Sequence, residues 1–105
     1  MSQAAPVTEH ALLEVIPGRE AEFEAAFEKA RPIVSQSDGF GSLRLLRCLE
    51  QPSRYLLLIE WRSLEAHTVG FRGSPLYERW RELLHHFYDP FPTVIHFETV
   101  TEVAG

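Results

Sequence analysis

Apolar residues recur with a helical period between residues 23 and 34. Phe23, Ala26, Phe27, Ala30 and then Ile33 or Val34 share one stripe, while Arg19, Glu20, Glu22, Glu24, Glu28, Lys29 and Arg31 fill the other faces. Such spacing sets one side against a core and the rest in water, which predicts an amphipathic helix. Pro32 is expected to kink or end its last turns, because it removes a backbone donor and crowds the carbonyl four residues back. Asp38-Gly39 should stop it. Upstream, Val7 to Ile16 is a run of strand formers ended by Pro17-Gly18, and Pro17 is tolerated at a helix start.

Beyond Gly39 the period changes. Phe40 to Glu50 and Tyr55 to Arg62 read as strands joined by the turn cluster Gln51-Pro52-Ser53-Arg54, which predicts an antiparallel hairpin. Ser63 is a good N-cap for a short helix to about Arg72 with Leu64, His67 and Phe71 on one face; Gly70 and Gly73 weaken and end it. Ser74-Pro75 starts another helix, whose apolar stripe is Leu76, Trp80, Leu83, Leu84 and Phe87. Asp89-Pro90-Phe91-Pro92 breaks the chain, and Thr93 to Val100 is a final strand. One domain is expected over residues 7–101, with tails at 1–6 and 102–105.

A right-handed crossover from the first strand to the second leaves room for the third between them. The expected fold is α+β: a ferredoxin-like split βαβ arrangement with a four-stranded antiparallel sheet and helices on one face. A sheet covered on one face should alternate apolar and polar residues, and these strands do not. Tyr55, Leu57, Ile59 and Trp61 oppose Leu56 and Leu58; Leu43, Leu45 and Leu49 oppose Phe40, Leu46 and Cys48; Ala11, Leu13 and Val15 oppose Leu12 and Ile16; Ile95 and Phe97 oppose Val94 and Val100. Helices cover one face, so the other is expected to pair with a second copy about a twofold axis. The alternative is a curved sheet with the C-terminal tail folded over its open face. Arg44 and Arg47 have opposite parity, so one of them faces an otherwise apolar layer and should find a carboxylate on the partner.

Composition narrows the chemistry. The chain has 105 residues, 45% of them hydrophobic, which supports a single modest core that an oligomer would extend. Its formal net charge is -5 with the signs interspersed, so neither a nucleic-acid arm nor a polybasic membrane patch is expected. A single cysteine, Cys48, excludes an internal disulfide and a cysteine-rich metal site within one chain, and it reads as a small core residue. With no signal-peptide pattern at the start and no apolar run long enough to span a bilayer, a cytoplasmic location is the expectation. No nucleotide, phosphate-loop, nucleophile-elbow or zinc motif is present.

Several segments together carry a likeness: Pro17-Gly18-Arg19-Glu20 with Phe23, Asp38-Gly39-Phe40, Glu60-Trp61-Arg62-Ser63-Leu64-Glu65-Ala66-His67, and Phe71-Arg72-Gly73-Ser74-Pro75 leading to Trp80. In order and spacing the chain resembles the antibiotic biosynthesis monooxygenase family over roughly Val7 to Val100. The resemblance implies a dimeric α+β barrel with a pocket in each subunit between sheet and helices. It also implies oxidation of small phenolic, quinol or polyketide-like compounds by molecular oxygen without a bound cofactor. Relatives that degrade haem carry a tryptophan in the helix after the third strand and an axial histidine in the next. Gly70 and Trp80 stand at the matching positions here, which argues against haem. A non-catalytic dimeric module binding a small ligand is the alternative.

On that reading His67 is the candidate base or orienting residue, because a neutral imidazole can take a phenolic proton. The competing reading is a hydrogen-bonded core histidine. Trp61, Phe71, Tyr77 and Trp80 are candidate walls for a planar ligand, with His10 a further contact, although ordinary core packing explains most such aromatics. His10, Glu60 and His96 lie on three strands and would form a two-histidine, one-carboxylate set, but they lack metal-site spacing, so no metal is expected. His85-His86 read as solvated helix-end residues.

Overall fold

The computed structural model describes residues 5–105, so the expected N-terminal tail lies, in its residues 1–4, outside the described residues. Strands β1 (Val7–Glu14), β2 (Phe40–Arg47), β3 (Arg54–Trp61) and β4 (Val94–Phe97) form one sheet in the order β2-β3-β1-β4. All neighbours are antiparallel, as expected. Helices α1 (Glu20–Val34) and α2 (Pro75–Leu84) cover one face. Strands β1 and β3 take the centre, paired from Val7↔Trp61 to Glu14↔Arg54.

The core lies between that sheet and the helices. Ala11, Leu13 and Val15 from β1 and the strand beyond it, with Tyr55, Leu57, Ile59 and Trp61 of β3, meet Phe23, Phe27, Ala30, Ile33 and Val34 of α1 and Trp80 and Leu84 of α2. Removing each large side chain from water contributes about 1.5–3 kcal/mol. Helix α1 starts three residues after Pro17, because Gly18 turns the chain at φ 94°. It runs through Pro32 to Val34, and Gln36 Nε2 and Ser35 Oγ donate to the Pro32 carbonyl near its end. Arg47 faces α1 and pairs with Glu24 inside the chain, beside the Tyr55 hydroxyl. Arg44, opposite Leu58, is the arginine on the open face.

Four expectations need correction. A bulge at Gly41 places Phe40 opposite Trp61 and on the core face rather than with Leu46. β2 stops at Arg47, which leaves Leu49 exposed and Cys48 half-buried at the turn, with Sγ 3.6 Å from a Glu50 oxygen. β4 is four residues long, and its inward residues are Val94 and His96, opposite Ala11 and Glu9. The segment after Ser63 is not a plain α-helix: Ser63 Oγ caps it through the Ala66 N–H, but Ala66–Phe71 widens into a π-helical turn. Its signature is the Arg72 N–H donating to the His67 carbonyl at 3.1 Å. That wider turn keeps His67 and Phe71 buried and leaves Leu64 exposed.

Gly39 links β2 to this turn at φ 88°, and a Cβ there would sit 2.6 Å from Ala66 Cβ. Gly39→Ala therefore incurs both a left-handed backbone cost and a clash, expected to total about 2–3 kcal/mol. Thermal unfolding should show a midpoint lowered by about 10 °C. An unchanged midpoint would mean that the turn is not held against β2.

Candidate functional site

Strand register starts the site. Glu9 is the carboxylate on the core face of β1, between Ile59 of β3 and His96 of β4. The end of β3 contributes Trp61, and the π-helical turn contributes His67, Phe71 and Arg72. Pro75 at the first position of α2 sets the helix that carries Tyr77 and Trp80. A 3₁₀ turn at His85–Phe87 then tightens the chain and delivers His85, Tyr88 and Phe91. Between these elements lies a cavity of about 380 Å³ whose wall includes Glu9, His67, Phe71, Arg72, Tyr77, Trp80, His85 and Tyr88. Phe71 meets Tyr77 and Trp80 edge to face at 5.6 and 5.9 Å, which props the rings apart along one wall.

A hydrogen-bonded chain forms the floor. Trp61 Nε1–H donates to Glu9 Oε1 at 2.9 Å, and His67 Nε2 lies 3.3 Å from the same oxygen. His67 Nδ1 is 2.7 Å from His96 Nε2. The indole of Trp61 stacks on the His67 ring at 5.1 Å and 15°. Both nitrogens of His67 are thus engaged by protein groups. Burial, then the nearby Arg72 and His96, push His67 down to about 3, so it is neutral at ordinary pH. Its contact with Glu9 has the distance of an ion pair, but with the ring neutral it is a polar contact and not a salt bridge. Burial raises Glu9 above the usual carboxylate range, against the opposing pull of the Trp61 hydrogen bond and Arg72. His96 and His85 are lowered, chiefly by burial. Tyr88 is raised, by burial first and then by Glu9. Arg72 is the cation at the cavity wall.

His67, Phe71, Tyr77 and Trp80 come together on this wall. Trp61 stands behind His67 rather than on the surface of the cavity. His10 is elsewhere: its parity puts it on the open face, opposite Leu58 and Ile95, with its ring on Phe97 at 5.4 Å. Glu60 shares that face and accepts from Thr8 Oγ1, whereas His96 points into the core. The sheet therefore splits His10, Glu60 and His96 between two faces. Among the described residues no group of three His, Cys, Asp or Glu is arranged to hold a metal. His85 is not a solvated helix end; it is half-buried, with its ring 4.9 Å from Phe91, while His86 is exposed.

Sequence reasoning missed Glu9, Arg72, His85 and Tyr88. Glu9 carried one usable signal, since it shares strand parity with Ala11, Leu13 and Val15 and so had to face the core.

The family pattern described as antibiotic biosynthesis monooxygenase matches residues 6–83. An uncharacterised Bacillus subtilis protein, YczJ, is 52% identical over 94 residues, covering 90% of this chain and 99% of its own. A crystal structure of a Bordetella bronchiseptica protein, provisionally named an antibiotic biosynthesis monooxygenase, superposes with a TM-score of 0.88 at 36% identity, over 92% of this chain and 99% of that one. Two further folds are alike. A haem-degrading protein from Mycobacterium tuberculosis has a TM-score of 0.70 at 27% identity, over 97% of this chain and 99% of its own. SnoaB, a cofactor-independent oxygenase from Streptomyces nogalater, has a TM-score of 0.68 at 23% identity, over 96% of this chain and 97% of its own.

Proposed function

The chain belongs to the antibiotic biosynthesis monooxygenase family, and from that premise we propose that it oxidises a small phenolic or quinol-like molecule with molecular oxygen and no resident cofactor. The observation that carries this reading is the cavity of about 380 Å³ walled by Phe71, Tyr77, Trp80 and Tyr88, with Arg72 as its cation. Its size suits one small planar ligand. The rings offer faces and edges to an aromatic substrate, and the guanidinium favours its anion. Deprotonation makes the substrate electron-rich enough to pass electrons to oxygen, so the protein's tasks are binding, orientation and proton removal. His67, with both nitrogens held, serves as the orienting residue.

The active unit in this reading is a homodimer joined through the open sheet face. Support comes from Leu12, Ile95 and Phe97, which are 41%, 46% and 51% exposed on that face. Val100 and Val103 of the tail stay exposed as well, so within one chain they do not cover it. Among the described residues no helix is long and apolar enough to cross a membrane.

Oxygen uptake with a panel of hydroquinones and polycyclic phenols tests the activity. At least one compound should be turned over, and Trp80→Ala should raise its KM about tenfold by removing a wall. Saturable binding across the panel with no oxygen uptake would instead favour the non-catalytic module. Haemin should leave the Soret band unshifted, since Trp80 occupies the expected axial position and the His67 nitrogens are taken.

A further inference from the structure

Glu9 has an unequal pair of oxygens. Oε1 takes the Trp61 N–H and faces His67 Nε2. Oε2 takes no hydrogen bond from the described residues, yet none of their buried side-chain oxygens or nitrogens is left without a partner. Oε2 is therefore open, and the opening available to a residue only 6% exposed is the cavity whose wall it forms. A side chain that served only to anchor Trp61 and His67 would have no need to leave an oxygen facing an aromatic pocket.

We propose that Glu9 is the catalytic base of this site, taking the hydroxyl proton of a phenol or enol on Oε2 while Trp61 and His67 hold Oε1. This rests on the reading of the cavity as a phenol site and deepens it. In the step, the substrate O–H bond breaks, its electron pair stays on the substrate oxygen, and the proton becomes the acid proton of Glu9. The developing oxyanion lies in the field of Arg72. The groups that face Glu9 are His67 and Arg72 from the π-helical turn, His96 from β4, Tyr88 after the 3₁₀ turn, and Tyr77 and His85 across the cavity. Arg72 is the only one of these with a permanent charge. Burial raises Glu9 toward the range in which a carboxylate is an efficient base at neutral pH. His96 acts through its neighbour as a positioning residue: donating Nε2–H to His67 Nδ1 leaves the His67 hydrogen on Nε2, aimed at Glu9.

The probe is 4-nitrophenol, whose phenolate is coloured, bound under anaerobic conditions so that no oxidation can follow. Bound phenolate should appear in the wild type with Glu9 protonated. At pH values where both probe and Glu9 are ionised beforehand, binding must take up one proton, so Kd should rise tenfold per pH unit. Calorimetry in two buffers of different ionisation enthalpy should count that proton on the wild type alone. Glu9→Gln, neutral and nearly isosteric, should bind the phenolate with a Kd flat over the same range, and should lower the kcat of any panel substrate by on the order of a hundredfold. Imidazole ¹⁵N shifts should show His67 hydrogenated at Nε2, and His96→Phe should release that preference. Wild-type binding without proton uptake, or pH dependences parallel in wild type and Glu9→Gln, would overturn the assignment of Glu9 and leave the phenol site standing. No binding of the probe by the wild type would overturn the phenol site itself. A His67 hydrogen on Nδ1 would overturn the role of His96.

Discussion

Leu12→Glu combined with Phe97→Glu is expected to leave the protein folded and monomeric. Both side chains sit on the open face of the sheet, and both are already about half in water within one chain, so the fold loses little when they become polar. The dimer would lose a great deal. In the proposed dimer, at about 25 cal/mol per Å², an apolar sheet face of roughly several hundred Å² would supply the attraction between copies. A twofold axis doubles every substitution, placing four carboxylates in that layer, and each unpaired buried charge costs several kcal/mol. Arg44, also on this face, can answer at most one carboxylate per subunit. The dissociation constant should rise by at least a thousandfold, equivalent to about 4 kcal/mol. Sedimentation equilibrium at micromolar concentration reads the result directly. A wild type that is already monomeric there would end the dimer proposal, and so would a double variant that stays dimeric with native circular dichroism.

The same two-sided apolar pattern explains what could be read from residues alone. Strand order followed from where β1, β2 and β3 had to pair, and α1 followed from a stripe of five apolar positions, because both depend on periodicity over many residues. Errors came where one residue changes the period. Gly41 inserts a bulge that returns Phe40 to the core, and no pattern of apolar residues marks a bulge. The π-helical turn at Ala66–Phe71 lengthens one turn of helix, which moves Leu64 outward while His67 stays buried. His67 was legible because its neighbours on either side of the turn are apolar.

Its partners were not legible in the same way. Glu9 and His96 meet His67 only through the register of three separate segments, at sequence distances that carry no motif. His10 and Glu60 seemed equally good polar strand residues, and parity alone sends them to the opposite face. Charge was misleading too. A carboxylate in a strand suggests a solvent face, but Glu9 is tolerated in the core because the Trp61 N–H satisfies one of its oxygens, with His67 Nε2 beside it. Buried polar groups of this kind specify a site at the expense of stability, and that expense should be measurable.

Stability should fall as pH drops from 6.5 toward 3, most steeply below 4.5, and much of the slope should vanish in His67→Gln. His67 is only 3% exposed, and burial holds it down to about 3 against an ordinary value of 6.5. The unfolded chain binds a proton in that interval and the folded chain refuses it, so the linkage sign is unambiguous. The contribution is intact above pH 6.5 and is lost as pH falls, at up to about 1.4 kcal/mol per unit. Glu9 works the other way: its raised value means the folded state holds a proton that the unfolded state has released, so acidification toward 4.5 stabilises through Glu9. The two effects partly cancel above 4.5, and below it the His67 loss runs unopposed by Glu9. The lowered carboxylates Glu20, Glu24 and Asp38 add a loss of the same sign as His67 at still lower pH, and a small one, because they lie at the surface in water. Glutamine keeps a donor for Glu9 and cannot titrate. Urea unfolding at pH 7, 6, 5 and 4 should therefore give a wild-type line that diverges from the variant's by about 1 kcal/mol or more per unit between pH 6 and 4. Parallel lines would mean that the folded protein protonates His67 as readily as the unfolded chain does, and that burial does not hold the ring neutral between pH 6 and 4.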